Sequence, residues 1–410
     1  MWSDTITSPP CIPGATKIYL NLVDGDLSTR VKTHGSVTSP ESETLFLGIE
    51  NVNTLPLILL VRIYCCLLCR APPWDRPPPA AHANGLPKEL YEPLWEELDR
   101  HARGHGVRIR RIWMADVAHQ GQSGRMNDGR LGNDPHWFDH SRDLLHLVNT
   151  RRADMPPPLV GIGHSMGGTQ LAQLSLIYPS LFTTLVLFDP VIQRPATPLQ
   201  DGTLFDHRRL LCDSTCLSTH RRDRWPSRAA ANQSLGRHPV HRAWDPRVLR
   251  RWIEYGLRRD SPGVTLTTTI PQEVLTFARP CDHSGPTPPD LDPALRTTFP
   301  FYRPEPSLAF RDLPHLRPGV LYVIGEHSLM ARPELRADKL RATGTGMGGS
   351  GGVPAGRVRE VVLPRCGHLV VQEAMGECAE VAASWIGAEV RRPRRGTEGF
   401  PGHGSVLSKL

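Results

Sequence analysis

The stretch LVGIGHSMGGTQLAQL (residues 159–174) decides the fold, because an apolar run gives way within it to apolar positions at helical spacing. Between the two patterns stands Gly163-His164-Ser165-Met166-Gly167, which matches Gly-x-Ser-x-Gly. A serine in this pattern lies on a sharp turn from strand to helix, and the flanking glycines, Gly163 and Gly167, leave room for the strained backbone. The amides at the start of the helix then point toward the serine. We therefore predict that Ser165 is a nucleophile at the end of a buried strand.

Apolar runs that alternate with helical patterns continue on both sides of this stretch. TTLVLFDPV (183–191) follows the helix, and GVLYVIGE (319–326) and RVREVVLP (357–364) each precede a segment with helical spacing. Continuous apolar runs indicate strands that are buried on both faces, as in parallel sheets covered by helices. The sequence therefore predicts an α/β fold with a mostly parallel sheet and helices on both faces.

The pattern changes between residues 192 and 297, where charged, tryptophan-containing helical segments replace the apolar strands. AWDPRVLRRWIEYGLRR (243–259) is the clearest of these segments. We interpret the region as a helical cap inserted into the sheet-bearing core. The glycine-rich TGTGMGGSGGVPAG (343–356) predicts a flexible loop. The predicted organisation is an N-terminal region over 1–80, core over 81–191, cap over 192–297, core over 298–390 and a tail over 391–410.

The region before residue 81 does not show the strand that should lead into an oxyanion-binding loop. CRAPPWDRPPPAA (69–81) is rich in proline, which cannot donate to the central ladder of a sheet. Either the strand lies earlier and a loop follows it, or the residues of about 52–80 are a gene-model error, such as a retained intron. We favour the gene-model error, and a transcript that lacks these residues would support that interpretation.

Composition argues against several classes of function. The 410-residue chain has a net charge of +7, but its basic residues are dispersed and form one dense run, RRPRR (391–395), so we expect no nucleic-acid partner. The nine cysteines show no paired metal spacing and no nucleotide fingerprint occurs, so we expect no metal and no cofactor. The apolar run LPLILLVRIYCCLLC (55–69) is too short for a membrane span and contains Arg62.

The last three residues are Ser408, Lys409 and Leu410. A C-terminal Ser-Lys-Leu is read by the peroxisomal import receptor. We therefore expect this receptor as a partner and the peroxisome as the location.

A serine nucleophile needs a histidine base and an acid that orients it, and with this turn the acid precedes the histidine in the chain. His368 lies between a predicted strand and a helix, where its ring would reach the carboxyl edge of the sheet. The acid has two candidates. Glu326 follows GVLYVIG, where Ser328 stands in place of an expected aspartate, and Asp189 ends the strand after the nucleophile. We choose Asp189, because Glu326 lies too close to its strand to reach the histidine.

Two backbone amides should stabilise the negative charge that forms on the substrate oxygen. One is the amide of Met166, the residue after the nucleophile. The other should come from HANGLP (82–87), where we expect the Leu86 amide, with Gly85 letting the backbone approach.

Other polar residues receive a structural interpretation. Asp116 and His119, in ADVAHQGQSG (115–124), are expected to order a loop rather than to react. Four arginines of the predicted cap could meet the phosphates of a large substrate, but a solvated helix face is the favoured interpretation. They are Arg221, Arg222, Arg224 and Arg228.

With these residues identified, the chain resembles a family of fungal peroxisomal α/β-hydrolases. The family includes the acyl-CoA hydrolase of mycophenolic acid biosynthesis, hydrolases of host-selective toxin pathways and the peroxisomal lipase. The resemblance extends over about residues 81–390 and rests on HANGLPKELYEPLW, ADVAHQGQSG, LGNDPHWFDHSRDLLH, GIGHSMGG, LFDP, RRDRWPSR, WDPRVLRRWIEYGLR, YRPEP, GTGMGGSGG and GHLVVQEA. It implies an α/β-hydrolase fold with an inserted helical cap. It also implies an acid after the strand that follows the nucleophile, which here is Asp189.

The expected function is that of a serine hydrolase. Ser165 would attack a carbonyl, His368 would take its proton and Asp189 would hold the imidazole ring. The family resemblance implies an acyl-CoA thioester as substrate, in secondary-metabolite or toxin biosynthesis, and a peroxisomal lipase or carboxylesterase is the alternative. An epoxide hydrolase or dehalogenase is disfavoured, because those enzymes carry Asp where Ser165 stands. A non-catalytic or decayed hydrolase-fold protein is the alternative from another class.

Overall fold

The computed structural model describes residues 17–19, 42–51, 54–65, 79–132, 134–280 and 301–392. The strands and helices as far as residue 188 are β1 (Lys17–Tyr19), β2 (Ser42–Asn51), β3 (Thr54–Cys65), β4 (Pro79–Ala81), α1 (Glu92–Gly104), β5 (Arg111–Ala115), α2 (Gly121–Met126), α3 (Trp137–Thr150), β6 (Leu159–His164), α4 (Met166–Ile177) and β7 (Phe182–Phe188). A 3₁₀ turn at Lys88–Tyr91 precedes α1.

The segment that follows β7, as far as Tyr302, carries short strands and five helices among the described residues. They are β8 (Ala196–Pro198), β9 (Leu204–Asp206), α5 (His207–His220), β10 (Arg224–Trp225), α6 (Arg228–Arg237), α7 (Pro239–Arg242), α8 (Pro246–Tyr255), β11 (Leu257–Asp260), β12 (Gly263–Leu266), α9 (Ile270–Phe277), β13 (Arg279–Pro280) and β14 (Phe301–Tyr302). In this segment, β10, β12 and β11 form a separate antiparallel sheet.

The chain then returns to the main sheet. This second part of the core includes 3₁₀ turns at Leu313–His315 and Leu329–Ala331. Its other elements are α10 (Glu305–Asp312), β15 (Gly319–Gly325), α11 (Pro333–Ala342), β16 (Val358–Leu363), α12 (Val370–Glu373) and α13 (Met375–Arg391).

The main sheet has nine strands among the described residues, in the order β1-β2-β3-β5-β4-β6-β7-β15-β16. In this order, the six strands from β5 to β16 are parallel to one another, whereas β1, β2 and β3 form an antiparallel edge that also pairs antiparallel with β5. The prediction of a mostly parallel sheet is therefore confirmed. In such a sheet the carboxyl ends of the strands meet at one edge, where ligands bind.

Helices cover both faces of the parallel strands. In β15, Leu321 and Val323 face the apolar cluster that contains α1 and α13, whereas Tyr322 and Ile324 face the cluster that contains α3 and α4. Successive side chains of a strand point to opposite faces, so a continuous apolar run fills two cores at once. This arrangement explains why the strands β6, β7 and β15 contain no Asp, Glu, Lys or Arg.

The strand before the oxyanion-binding loop differs from expectation. Pro79 pairs with Trp113 as the first residue of β4, a central strand between β5 and β6. The first residue of a strand is a position where a missing N–H is tolerated, so the proline-rich stretch does supply this strand. The structure also places Thr54–Cys65 in the sheet as β3. The interpretation as a gene-model error stays a prediction, and residues 66–78 lie outside the described residues.

The glycine-rich segment after α11 is a structured loop, so the expectation of a flexible loop is wrong. The amides of Gly344, Gly346 and Ser350 donate to carbonyls of Leu313, Pro314 and Leu316 at 2.9 Å each. Four glycines between residues 344 and 352 have positive φ, which other residues rarely adopt. Glycine here permits a folded path instead of a mobile one.

Within the described ranges, no helix combines the length and the apolar composition that crossing a bilayer requires.

Candidate active site

Ser165 stands alone between β6 and α4, on a backbone with φ 56° and ψ −119°. The left-handed φ value matches the strained turn that the motif predicts. A Cβ atom at Gly163 would lie 2.6 Å from the carbonyl oxygen of Gly167, and one at Gly167 would lie 2.5 Å from the carbonyl carbon of Ala81. Both glycines are therefore required by close backbone approach.

The structure brings the three predicted side chains together at the carboxyl edge of the sheet. Ser165 Oγ lies 2.8 Å from Nε2 of His368, and His368 Nδ1 lies 2.5 Å from Oδ2 of Asp189. Asp189 is fully buried, whereas the His368 side chain is 40% exposed. With the Nδ1 proton donated to the carboxylate, Nε2 is free to accept the serine hydroxyl. The arrangement can therefore deprotonate Ser165 during attack on a carbonyl.

Asp189 is held in place by both neighbouring strands. It follows β7 directly, its backbone has φ 41°, and its amide donates to the carbonyl of Val323 in β15 at 2.7 Å. The hydroxyl of Ser328 donates to the same carboxylate oxygen that His368 uses. Glu326, the rejected candidate, instead accepts the amide of Arg365 at 2.9 Å and so orders the loop before His368.

The second oxygen of Asp189, Oδ1, is buried without a hydrogen-bond partner among the described residues. Lys339 of α11 is 1% exposed, and its Nζ likewise has no acceptor in the described part of the chain. Burial lowers the pKa of Lys339 to about 8, although the Asp189 carboxylate acts in the opposite direction. Sequence reasoning did not identify Lys339, because its helix shows an ordinary mixture of charged and apolar residues.

The predicted oxyanion amides have different outcomes. The Leu86 amide donates to the carbonyl of Ala83 at 3.2 Å, so the expectation that it faces the substrate is wrong. The Gly85 amide is also used, by Oε1 of Gln120 at 2.8 Å. None of the hydrogen bonds among the described residues uses the backbone amides of Asn84 or Met166. The loop closes as a turn on Ala83, and this turn consumes the Leu86 amide.

Buried polar contacts stabilise the chain directly after the oxyanion-binding loop. Lys88 is fully buried, and its Nζ lies 2.7 Å from both Oδ2 of Asp116 and Oε1 of Glu89. The carboxylate of Asp116 also accepts the amides of Lys88 and Gln122, each at 3.1 Å. These contacts agree with the loop-ordering role expected for Asp116.

His119 contacts helix α9. Its Nε2 lies 2.7 Å from Oγ1 of Thr276 in α9, and burial lowers its pKa to about 3. A neutral, partly buried ring agrees with the structural interpretation of His119.

Two further residues, which sequence reasoning missed, connect the loop to the histidine. The hydroxyl of Tyr91 lies 2.9 Å from both the Ala83 amide and Nδ1 of His164. Nε2 of His164 lies 2.9 Å from the carbonyl oxygen of His368. His164 occupies a variable position of the Gly-x-Ser-x-Gly motif, and the sequence around Tyr91 contains no motif that would indicate its contacts.

The four arginines of the predicted cap have partners within the same predicted segment, residues 192–297. Arg221 pairs with the buried Glu273, and Arg224 pairs with Asp260. Arg222 donates to the carbonyl of Arg224 at 2.8 Å. Arg228 donates to carbonyls at the end of α8 and the start of β11. These contacts support a structural interpretation of the arginines over a preformed phosphate site.

Among the described residues, no three His, Cys, Asp or Glu side chains converge so as to hold a metal ion.

Known proteins resemble this chain in sequence and in fold. A sequence profile of the alpha/beta hydrolase family matches residues 80–381. The type I acyl-CoA thioesterase mpaH' of Penicillium brevicompactum is 39% identical over 352 aligned residues, which cover 77% of this chain and 78% of that protein. The abhydrolase domain-containing protein AKT2 of Alternaria alternata is 28% identical over 240 residues, which cover 57% of this chain and 84% of that protein.

Solved structures support the same fold. The peroxisomal alpha-beta-hydrolase Lpx1 of Saccharomyces cerevisiae aligns with a TM-score of 0.64 at 20% identity, over 87% of this chain and 92% of that one. A thioesterase domain from the curacin biosynthetic pathway aligns with a TM-score of 0.53 at 15% identity, over 83% and 98%. The family profile and the Penicillium relative together show that this chain belongs to the alpha/beta hydrolase family.

Proposed function

We propose that this chain is a serine hydrolase that cleaves an acyl-CoA thioester. The observation that carries the proposal is the continuous contact from Ser165 Oγ through the His368 ring to Asp189. A binding protein has no need of all three groups in this order, because binding energy does not depend on activating a nucleophile.

The proposed reaction has two stages. Ser165 Oγ attacks the thioester carbonyl as its proton moves to Nε2 of His368, and the tetrahedral intermediate collapses when His368 protonates the leaving thiolate. A water molecule, deprotonated by His368, then attacks the acyl-serine and releases the carboxylic acid. Asp189 stays ionised throughout and stabilises the imidazolium that forms in each stage.

The oxyanion of the intermediate would be held by two backbone amides. The Met166 amide is at the first position of α4, where the helix dipole adds to its effect. We assign the second donor to the Asn84 amide instead of Leu86, because the Leu86 amide is already bonded within the loop. Each such donor contributes about a hundredfold or more to the rate in comparable hydrolases.

The thioester preference is supported by the relatives. The Penicillium relative that matches most of this chain is named an acyl-CoA thioesterase. A lipase or carboxylesterase would use the same Ser165, His368 and Asp189, because the chemistry of acyl transfer is shared. We expect the predicted cap, residues 192–297, to decide between a CoA thioester and a simple ester.

The experiment that tests the proposal measures free thiol released from a panel of acyl-CoAs by the purified protein. The Ser165→Ala variant and an aryl ester are measured beside it. We expect thiol release that the Ser165→Ala change abolishes. Cleavage of the aryl ester alone would replace the thioesterase proposal with an esterase. Absence of both reactions from a protein that unfolds cooperatively would contradict hydrolase activity and favour the non-catalytic alternative.

We also propose that the protein acts in the peroxisome. One support is the tripeptide Ser408-Lys409-Leu410, which lies outside the described residues. The other is the similarity in fold to Lpx1, which is named as a peroxisomal hydrolase. A fluorescent protein fused to the N-terminus should collect in peroxisomes, and deletion of the three residues should leave it in the cytosol. An unchanged distribution after the deletion would contradict recognition by the import receptor.

A further inference from the structure

A chain of three hydrogen bonds joins the oxyanion-binding loop to the segment that carries His368. The Ala83 amide contacts Tyr91 Oη, Tyr91 Oη contacts His164 Nδ1, and His164 Nε2 contacts the carbonyl oxygen of His368, each at 2.9 Å. Tyr91 and His164 are 2% and 1% exposed. Water therefore cannot replace these contacts when one is lost.

The chemistry of the two ends determines the direction of every bond. The Ala83 amide can only donate, and the His368 carbonyl can only accept. His164 must therefore carry its proton on Nε2, which leaves Nδ1 as the acceptor, and Tyr91 must donate its hydroxyl proton to Nδ1. Burial, together with the nearby His368, lowers the pKa of His164 to about 3, so the ring is neutral at neutral pH. Tyr91 and His164 therefore each accept one of these hydrogen bonds and donate another.

We propose that Tyr91 and His164 are positioning residues, which hold the oxyanion-binding loop, the Ser165 turn and the His368 backbone at fixed distances from one another. The inference rests on the proposed serine-hydrolase function. His164 directly precedes Ser165, so the same residue fixes the nucleophile along the chain and the base through its side chain. Neither residue touches the reacting atoms.

Loss of the Tyr91 hydroxyl should disturb the position of His368. His164 Nδ1 would lose its donor, and a proton moved to Nδ1 would leave a lone pair on Nε2 facing the His368 carbonyl. Two acceptors repel each other, so the His368 backbone would shift away from Ser165. A misplacement of about 1 Å in a reacting group can cost about a hundredfold in rate.

The test compares Tyr91→Phe with Tyr322→Phe, a matched control. Tyr322 is 1% exposed and its hydroxyl contacts Oγ1 of Thr343 at 2.8 Å, in the apolar cluster on the other face of the sheet. Both variants lose one buried hydroxyl, which should lower the free energy of unfolding by about 1 kcal/mol in each. The readouts are kcat, KM and the rate at which a fluorophosphonate modifies Ser165, which needs no acyl-CoA.

We expect Tyr91→Phe to reduce kcat and the modification rate by about tenfold to a hundredfold, with KM nearly unchanged. Tyr322→Phe should retain both rates. Equal modification rates in Tyr91→Phe and the unchanged protein would overturn the inference. Failure of the unchanged protein to react at Ser165 would instead contradict the proposed function, so the two failures are distinguishable.

A second pair of variants serves if Tyr91→Phe does not fold. Glutamine at position 164 offers one acceptor and one donor, whereas leucine offers neither. His164→Gln should therefore keep a higher modification rate than His164→Leu, by about tenfold or more. Equal rates in these two variants would overturn the inference.

Discussion

His368 Nδ1 lies 2.5 Å from Oδ2 of Asp189, the residue that directly follows β7. The loop after β15 contributes Ser328 to the same carboxylate oxygen instead of an acid of its own. Glu326 of that loop accepts the Arg365 amide. The carboxylate that contacts His368 therefore follows β7, and not β15, the next strand of the main sheet in the chain.

The two carboxyl groups should respond differently to amide substitution. Asp189→Asn keeps the size of the side chain but no longer stabilises the imidazolium, so kcat should fall by about 10⁴-fold. Glu326→Gln retains an oxygen that can accept the Arg365 amide, so kcat should change little. Steady-state thiol release from an acyl-CoA measures both. A large loss in Glu326→Gln together with an active Asp189→Asn would contradict the assignment.

The turn around Ser165 should not tolerate a methyl group at Gly167. Its added Cβ would meet the backbone of Ala81, so Gly167→Ala should destabilise the protein by about 1–3 kcal/mol or more. Gly236 of α6 has open space, and Gly236→Ala should be neutral or stabilise by about 0.5 kcal/mol. Urea unfolding of both variants measures the difference. Equal midpoints would show that the turn can relax.

The free energy of unfolding should fall as pH decreases, because folding lowers the pKa of His119. The pKa of His119 is about 3 in the folded protein, below the ordinary value of 6.5, so the unfolded chain binds more protons between these values. Stability is therefore full above about pH 6.5 and is lost as pH falls toward 3. As pH falls from 7 to 5, protonation of this histidine in the unfolded chain should lower the free energy of unfolding by about 2 kcal/mol. In His119→Gln, the free energy of unfolding measured with urea should fall correspondingly less over this pH range. An identical fall would contradict a ring that is neutral in the folded protein.

Removal of the buried amine of Lys339 should stabilise the protein at neutral pH. Its folded pKa of about 8 lies below the ordinary 10.5, so the charged form is disfavoured in the folded state. Below pH 8, this pKa difference lowers the free energy of unfolding by on the order of 3 kcal/mol. The penalty disappears as pH rises toward 10.5. Lys339→Met should therefore raise the melting temperature at pH 7, and the gain should shrink toward pH 10. A gain that does not depend on pH would contradict this account.

The parts of the site that a local motif determines could be predicted from the sequence. The Ser165 turn needs only a strand, a helix and two close glycines, all of which lie within a few residues. His368 could be placed because a strand and a helix flank it. Asp189 could be chosen over Glu326 by reach alone, with the family resemblance in agreement.

The parts that depend on distant contacts could not be predicted. The Leu86 amide is consumed by a turn onto Ala83, and residue type does not reveal such a bond. Tyr91 and Lys339 acquire their environment from elements far away in the chain. Residue type alone argues against Pro79 in a central strand, although its position at the start of β4 decides whether a proline is tolerated there.

During turnover, Ser165 should carry the acyl group of the substrate. The direct measurement mixes the protein with an acyl-CoA that it hydrolyses, quenches with acid within milliseconds and maps the digested peptides by mass spectrometry. We predict a mass increase of one acyl group on the peptide that contains Ser165, which disappears as the acid product forms. Rapid turnover with this peptide unmodified at every time, or an acyl group on another residue, would contradict the account.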